Sequence, residues 1–260
     1  MADLLLRHPD FTRPVGHFES PILVESRRYM EYVRRSVIPR GRGLSADELA
    51  PMFGRSLQDY YRSKCPAKEA SRRYLVHKYP SARGINNFPA MFPDGRLLLL
   101  VRDGRDSANS VLSAARFIRR SDPRRVYLLT HVAQRWRESA EAILDFQSKF
   151  PGRSLLVRFE ALHTDPVMTL RNIGDFLQLE DDANLRCWLE GARDAPVRGS
   201  SFLRDTADGT REVAGGTNWR PTPRSASFNP IGRWRSGLSW FESRLFEAVT
   251  HEQLRRLGYD

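Results

Sequence analysis

Five apolar residues in a row, Leu97 to Val101, stop at the charged sequence Arg102-Asp103-Gly104-Arg105-Asp106, and Ser107-Ala108-Asn109-Ser110-Val111-Leu112 follows. No other stretch restricts the fold of this chain as strongly. A short continuous apolar run bounded by a charged turn reads as a strand buried on both faces of a parallel sheet. The residues after the turn have helical spacing, with Val111, Leu112 and Ala115 on one face and Asp106 or Ser107 as the expected cap. Strand, basic turn and helix N-terminus is how an open α/β sheet builds an anion site at the carboxyl ends of its strands. Arg102 at the strand end and Ser110 about two helical turns on have the spacing for a guanidinium and a hydroxyl to close on one phosphate.

The rest of the composition describes a globular chain with a basic surplus. The 260 residues suffice for one α/β domain with a substantial core, and 40% hydrophobic content is that of a globular chain. A mean hydropathy of −0.52 and the lack of a long apolar segment argue against a membrane span. No basic stretch followed by an apolar core opens the sequence, so no signal peptide is expected. Two cysteines, Cys65 and Cys187, make neither a disulfide framework nor a zinc site and are expected as free thiols of a cytoplasmic protein. The formal charge of +11 points to polyanions. Nucleic acid is the rival partner, but no basic repeat, zinc spacing or aromatic RNA-binding pattern supports it.

Arg102-Asp-Gly-Arg-Asp with Ser110 eight residues on resembles the 3′-phosphate-binding motif of sulfotransferases, which use 3′-phosphoadenosine 5′-phosphosulfate (PAPS) as sulfuryl donor. The resemblance implies that Arg102 and Ser110 hold the 3′-phosphate. Three further segments resemble the tyrosylprotein and bacterial type of the family in the same order. His8-Pro9-Asp10 resembles the close of its first helix. Lys78-Tyr79-Pro80, at the end of an expected strand from Tyr74 to Lys78, resembles its Lys-Thr-Pro or Lys-Asp-Pro segment. There the lysine stabilises charge on the leaving phosphate. Gly232-Arg233-Trp234-Arg235 resembles a carboxyl-terminal segment whose basic residue meets the nucleotide; Arg233 is the first choice and Arg235 the second. An acidic residue soon after His-Pro-Asp serves the family as general base. Glu19 matches best, through a small insertion, with His17 as its local alternative; His77 is a further candidate base.

The chain departs from the family in one respect. No Gly-rich or Ser/Thr-rich turn with a Lys or Arg precedes the His8-Pro9-Asp10 helix tail, where relatives carry the 5′-phosphosulfate loop and their first strand. The expectation is a chain truncated at its amino terminus relative to the family.

The remaining periodicities fill in the architecture. Helical spacing covers 22–32 and 46–61, with Ser45 and Glu48 as a capping box. A short helix is expected over 85–92, and Asp122-Pro123 opens a long apolar stripe reaching about Phe150. A second buried strand lies near 155–158, Asp165-Pro166 caps another helix, and a last helix runs from about Trp240 to Leu257. From 193 to 235 the chain is rich in Arg, Gly, Ser and Pro and is expected to be irregular, covering nucleotide or acceptor. The expected whole is a single sulfotransferase-like domain over 1–260. Its fold is α/β, a three-layer P-loop-NTPase-like sandwich whose parallel sheet is flanked by helices and lacks the first strand and P-loop. The expected activity is sulfuryl transfer from PAPS to a hydroxyl or amine of a small-molecule, glycan or peptide acceptor, without a metal. An inactive relic that binds only adenosine 3′,5′-bisphosphate (PAP) and a basic nucleic-acid-binding protein are the alternatives.

Overall fold

The computed structural model describes residues 1–14, 22–35, 45–79, 81–115, 122–193, 203–205, 211–213 and 229–259. They fall into two compact units, one of residues 1–101 with 138–195 and the other of 102–137 with 196–260.

The first unit carries the parallel strands. β1 (Phe11–Thr12) pairs in parallel with β2 (Tyr74–Leu75). β3 (Leu97–Val101) pairs in parallel with β4 (Ser154–Arg158) over five residues, Leu97 opposite Ser154 and Val101 opposite Arg158. β3 alternates more than its uniform sequence suggests: Leu99 and Val101 are buried, whereas Leu100 is 42% exposed. The expectation of burial on both faces is corrected on this point, because period 2 turns Leu100 to the opposite face from its two neighbours. β2 is shorter than the expected strand, with one further ladder bond from Val76 N–H to the Thr12 carbonyl (2.8 Å). β1 escapes sequence reading because two residues carry no period.

Helices cover these pairs. α1 (Ala2–Leu5) turns through His8 into β1, and the Trp188 indole donates to the Leu4 carbonyl at 2.6 Å. α2 (Ile22–Arg35) and α3 (Ala46–Ser63) follow, α3 capped by the Ser45 hydroxyl on the Asp47 N–H. The expected helix over 85–92 is a 3₁₀ turn (Ile85–Asn87) running into α4 (Phe88–Met91). Gly54 of α3 lies so close to the Met91 carbonyl that any side chain there would collide with it. α7 (Phe159–Thr164), α8 (Pro166–Leu177) and α9 (Ala183–Arg193) complete the unit, α8 capped by Asp165 on the Met168 N–H (3.0 Å) as its sequence indicates. His8, Phe11, Tyr74 and Trp188 form an aromatic cluster, with Phe11 stacked on Tyr74 at 5.1 Å and His8 edge-on to Trp188 at 5.4 Å.

The second unit begins one residue after β3. α5 (Gly104–Ala114) is followed by the long α6 (Pro123–Lys149), whose residues up to Arg137 belong here and whose remainder belongs to the first unit. β5 (Leu203–Asp205) and β6 (Arg211–Val213) form an antiparallel pair. α10 (Trp234–Gly237) and α11 (Trp240–Arg256) end the chain, and Gly258 at φ +74° takes up the left-handed position after the last helix. Phe246 and Thr250 of α11 are fully buried.

Candidate nucleotide-binding site

The turn between β3 and α5 consists of Arg102 and Asp103 alone. Asp103, not Asp106 or Ser107, caps α5: its carboxylate accepts the Arg105 N–H at 2.8 Å. The helix begins earlier than its apolar spacing indicates, because Gly104 can sit where any side chain would be too close to its neighbours. A Cβ there would stand 2.7 Å from carbons of Trp136 and Phe246.

Most charges of the turn serve its own structure. The buried Arg105 guanidinium pairs with Asp103 (3.0 Å) and with Glu247 of α11 (3.2 Å). Burial favours its neutral form, but the hydrogen bonds to the two carboxylates win and hold its pKa above the ordinary arginine value. The same guanidinium lies 4.2 Å from the centre of the Trp234 ring, a cation–π contact. The Asp106 carboxylate, 1% exposed, accepts the Gly232 N–H at 2.7 Å and the Trp234 N–H at 2.9 Å.

Arg102 is the half-buried residue of this turn. Its guanidinium donates to the Pro230 carbonyl at 2.7 Å, and its own carbonyl accepts from the Trp136 indole at 3.1 Å. Ser107, Ser110 and Val111 form the partly accessible stripe of α5, between the buried Ala108, Asn109 and Leu112 and the exposed Ala114. On the facing segment, Arg233 and Arg235 are exposed, and the Arg235 guanidinium lies 4.8 Å from the Trp234 ring. Gly237 lies against the Asn109 amide so closely that a side chain would overlap it. Two segments far apart in sequence, 102–110 and 230–237, therefore meet through Arg102, Arg105, Asp106 and Asn109. Both are segments that the sequence reading assigns to the nucleotide.

The remaining candidates lie elsewhere. Lys78 is exposed and follows β2 in the first unit, three residues beyond the strand's last residue. The ring of His77 stacks on Tyr61 of α3 at 4.9 Å. Burial, with Tyr60 adding to it, pushes the Tyr61 phenol above its ordinary value. Glu19 and His17 lie outside the described residues. Among the described residues no group of three or more His, Cys, Asp or Glu could hold a metal ion, and no helix is long and apolar enough to cross a membrane.

Residues 2–183 match the family model described as "Sulfotransferase family", a span of more than half the chain. The chain belongs to the sulfotransferase family. No curated protein matches it. Similar solved structures include a mouse sulfotransferase crystallised with PAP, at 14% identity over 72% of this chain and 68% of that one, with a TM-score of 0.48. A sulfotransferase domain from the Synechococcus PCC 7002 olefin synthase is 20% identical over 94% and 87% of the two chains, with a TM-score of 0.46. A sulfotransferase domain from the curacin biosynthetic pathway is 21% identical over 70% of each, with a TM-score of 0.40.

The fold is accordingly that of an α/β sulfotransferase, helix-rich with short parallel strand pairs. In this sulfotransferase the buried pairings of Asp103 and Arg105, and the bonds of Asp106 to the amides of Gly232 and Trp234, are missing from a reading of the sequence, which sees charged turn residues and takes Asp106 only as a candidate helix cap. No local sequence signal distinguishes these buried, paired charges from solvated ones, because their partners Glu247, Gly232 and Trp234 are more than 120 residues away.

Proposed function

We propose that this sulfotransferase takes its sulfuryl group from PAPS and transfers it to a hydroxyl or amine of a small-molecule, glycan or peptide acceptor. The observation that carries the reading is the joining of 102–110 to 230–237. The Arg102–Pro230 hydrogen bond and the two amide bonds to Asp106 bring the Arg102 turn and the Arg233-bearing segment into one locality. Two cationic segments held together in this way suit a ligand with a compact dianionic group at one end.

This chain's residues fit the 3′-phosphate end of the donor. The acidic side chains nearest the turn, Asp103 and Asp106, are engaged by Arg105 and by backbone N–H groups, so their charge is largely offset. Arg102 and Ser110 would hold the 3′-phosphate, with Arg233, and secondarily Arg235, as further cations. When bound, PAPS supplies a sulfuryl group activated as a mixed anhydride with phosphate. Lys78, exposed after β2, is the cation we assign to the charge that develops on the departing phosphate. Glu19 is assigned as the base that accepts the acceptor's proton, with His17 and then His77 as alternatives. Both cysteines are free thiols, Cys65 buried and Cys187 exposed, which supports a reducing, cytoplasmic setting.

The test is transfer of labelled sulfate from PAPS to a panel of phenols, sugars and peptides. Lys78→Ala should lower kcat about a hundredfold with little change in donor KM, as removal of one charge-stabilising contact does. Arg102→Ala should raise donor KM. Transfer that is indifferent to both substitutions refutes the assignment.

A further inference from the structure

We propose that Asp106 is the positioning residue of the 3′-phosphate site, the clasp that makes the Arg102 turn and the Arg233 segment a single binding surface. The inference rests on the functional reading above. Asp106 stands in the first turn of α5, where the helix dipole favours a negative charge. It is almost fully buried, so its carboxylate has given up water and must be satisfied within the protein. The satisfaction comes from two amides that bracket one residue: Oδ2 takes the Gly232 N–H and Oδ1 takes the Trp234 N–H. Between them Gly232 has φ +71° and Arg233 is right-handed (φ −65°, ψ −20°). Left-handed and right-handed residues in succession turn neighbouring N–H groups towards one anion.

Arg233 is thereby the residue whose backbone is fixed on both sides, while its side chain remains exposed. The other contacts between the segments work differently. Arg102 holds Pro230, ahead of this stretch, Arg105 supports the Trp234 ring, and Asn109 meets Gly237, beyond it. None of these three fixes the backbone on either side of Arg233. Asp106 is not itself a phosphate ligand. Both its oxygens are occupied, and a carboxylate facing a phosphate would repel it. Its effect on the ligand is exerted through Arg233.

The decisive experiment is calorimetry on the full chain with two probes, adenosine 3′,5′-bisphosphate and adenosine 5′-monophosphate. Asp106→Asn keeps the size of the side chain but offers one acceptor oxygen where two amides point. It should reduce bisphosphate affinity about tenfold or more, as loss of a charge-assisted contact does, and leave monophosphate affinity within about twofold. Arg233→Ala added to Asp106→Asn should cost little more than Asp106→Asn alone, because the two act in series. Should the Asn variant not fold, Gly232→Ala strains the same backbone at φ +71° while leaving Asp106 and the Trp234 ring in place. The same selective loss is expected of it. Equal loss for both probes means a merely structural role and overturns the clasp. So does full retention of discrimination, or an additive double variant. A wild-type chain that fails to distinguish the probes, or keeps the distinction in Arg102→Ala, overturns the functional reading and the clasp with it. Discrimination that Arg102→Ala abolishes and Asp106→Asn leaves intact overturns the clasp alone.

Discussion

His8 shows how much of this chain's behaviour is set by single side chains. Its imidazole is 3% exposed; Nδ1 accepts the Asp10 N–H at 3.2 Å, and Nε2 is buried without a hydrogen-bond partner. Burial holds its pKa below the ordinary 6.5, with Asp10 and Asp182 opposing the shift. Below that ordinary value the unfolded chain binds a proton that the native state resists. The stabilisation is therefore fully present above pH about 6.5 and lost as pH falls through the depressed value. The urea midpoint should drop between pH 7.5 and pH 5.5. His8→Asn, which keeps an acceptor for Asp10, should be less stable throughout but flatter over that window; an unchanged slope would show the imidazole to be uninvolved. His8-Pro9 is legible in sequence as a helix stop, but the burial of the ring against Trp188, 180 residues away in the chain, is not. Arg102 and Ser110 stand out by spacing for the same reason that Asp106 does not. The Arg102–Ser110 spacing matches a family motif within nine residues of sequence, while a carboxylate spent on distant amides looks like any helix-start acid.

Among the elements, α11 depends on one carboxylate. Glu242 completes a capping box with Ser239, accepting the Ser239 N–H at 2.7 Å, and also accepts from Arg125 of α6 at 2.5 Å. Burial would raise its pKa, but the Arg125 and Ser239 hydrogen bonds outweigh this and hold it below the ordinary carboxylate value. Its contribution is thus present above pH about 4.5 and lost as pH falls through the lowered value. Arg125→Met leaves a buried charge unpaired and should cost about 3 kcal/mol by urea denaturation. Adding Glu242→Gln, neutral and still an acceptor for Ser239, should restore part of that loss. A double variant no more stable than Arg125→Met would contradict the pairing. Gly104→Ala should cost about 1–3 kcal/mol, since its methyl meets Trp136 and Phe246 at 2.7 Å. Long periodic elements were legible: β3 and β4, α6 from Pro123, α8 from Pro166 and α11 all lie where patterning puts them. The two-residue β1 was not, because its pairing is long-range and it is too short for a period to register; β2 was legible from its start at Tyr74 but not in its early end at Leu75.

For the molecule as a whole, the family is shown by a match over residues 2–183. The family match ends at residue 183, so the segment carrying Arg233 lies beyond it. Its place in the account comes from contacts to Asp106 and Arg102 rather than from the match. The proposed nucleotide donor would explain only part of the formal charge of +11. The acceptor was not legible, because recognition of an acceptor leaves no spacing comparable to that of a phosphate grip. The most direct test of the central claim is the affinity of the full chain for adenosine 3′,5′-bisphosphate against adenosine 5′-monophosphate, measured for wild type and Arg102→Ala. The account predicts that wild type prefers the bisphosphate by about tenfold or more and that Arg102→Ala erases the preference. Equal affinities in wild type, or a preference that survives the loss of Arg102, would contradict it.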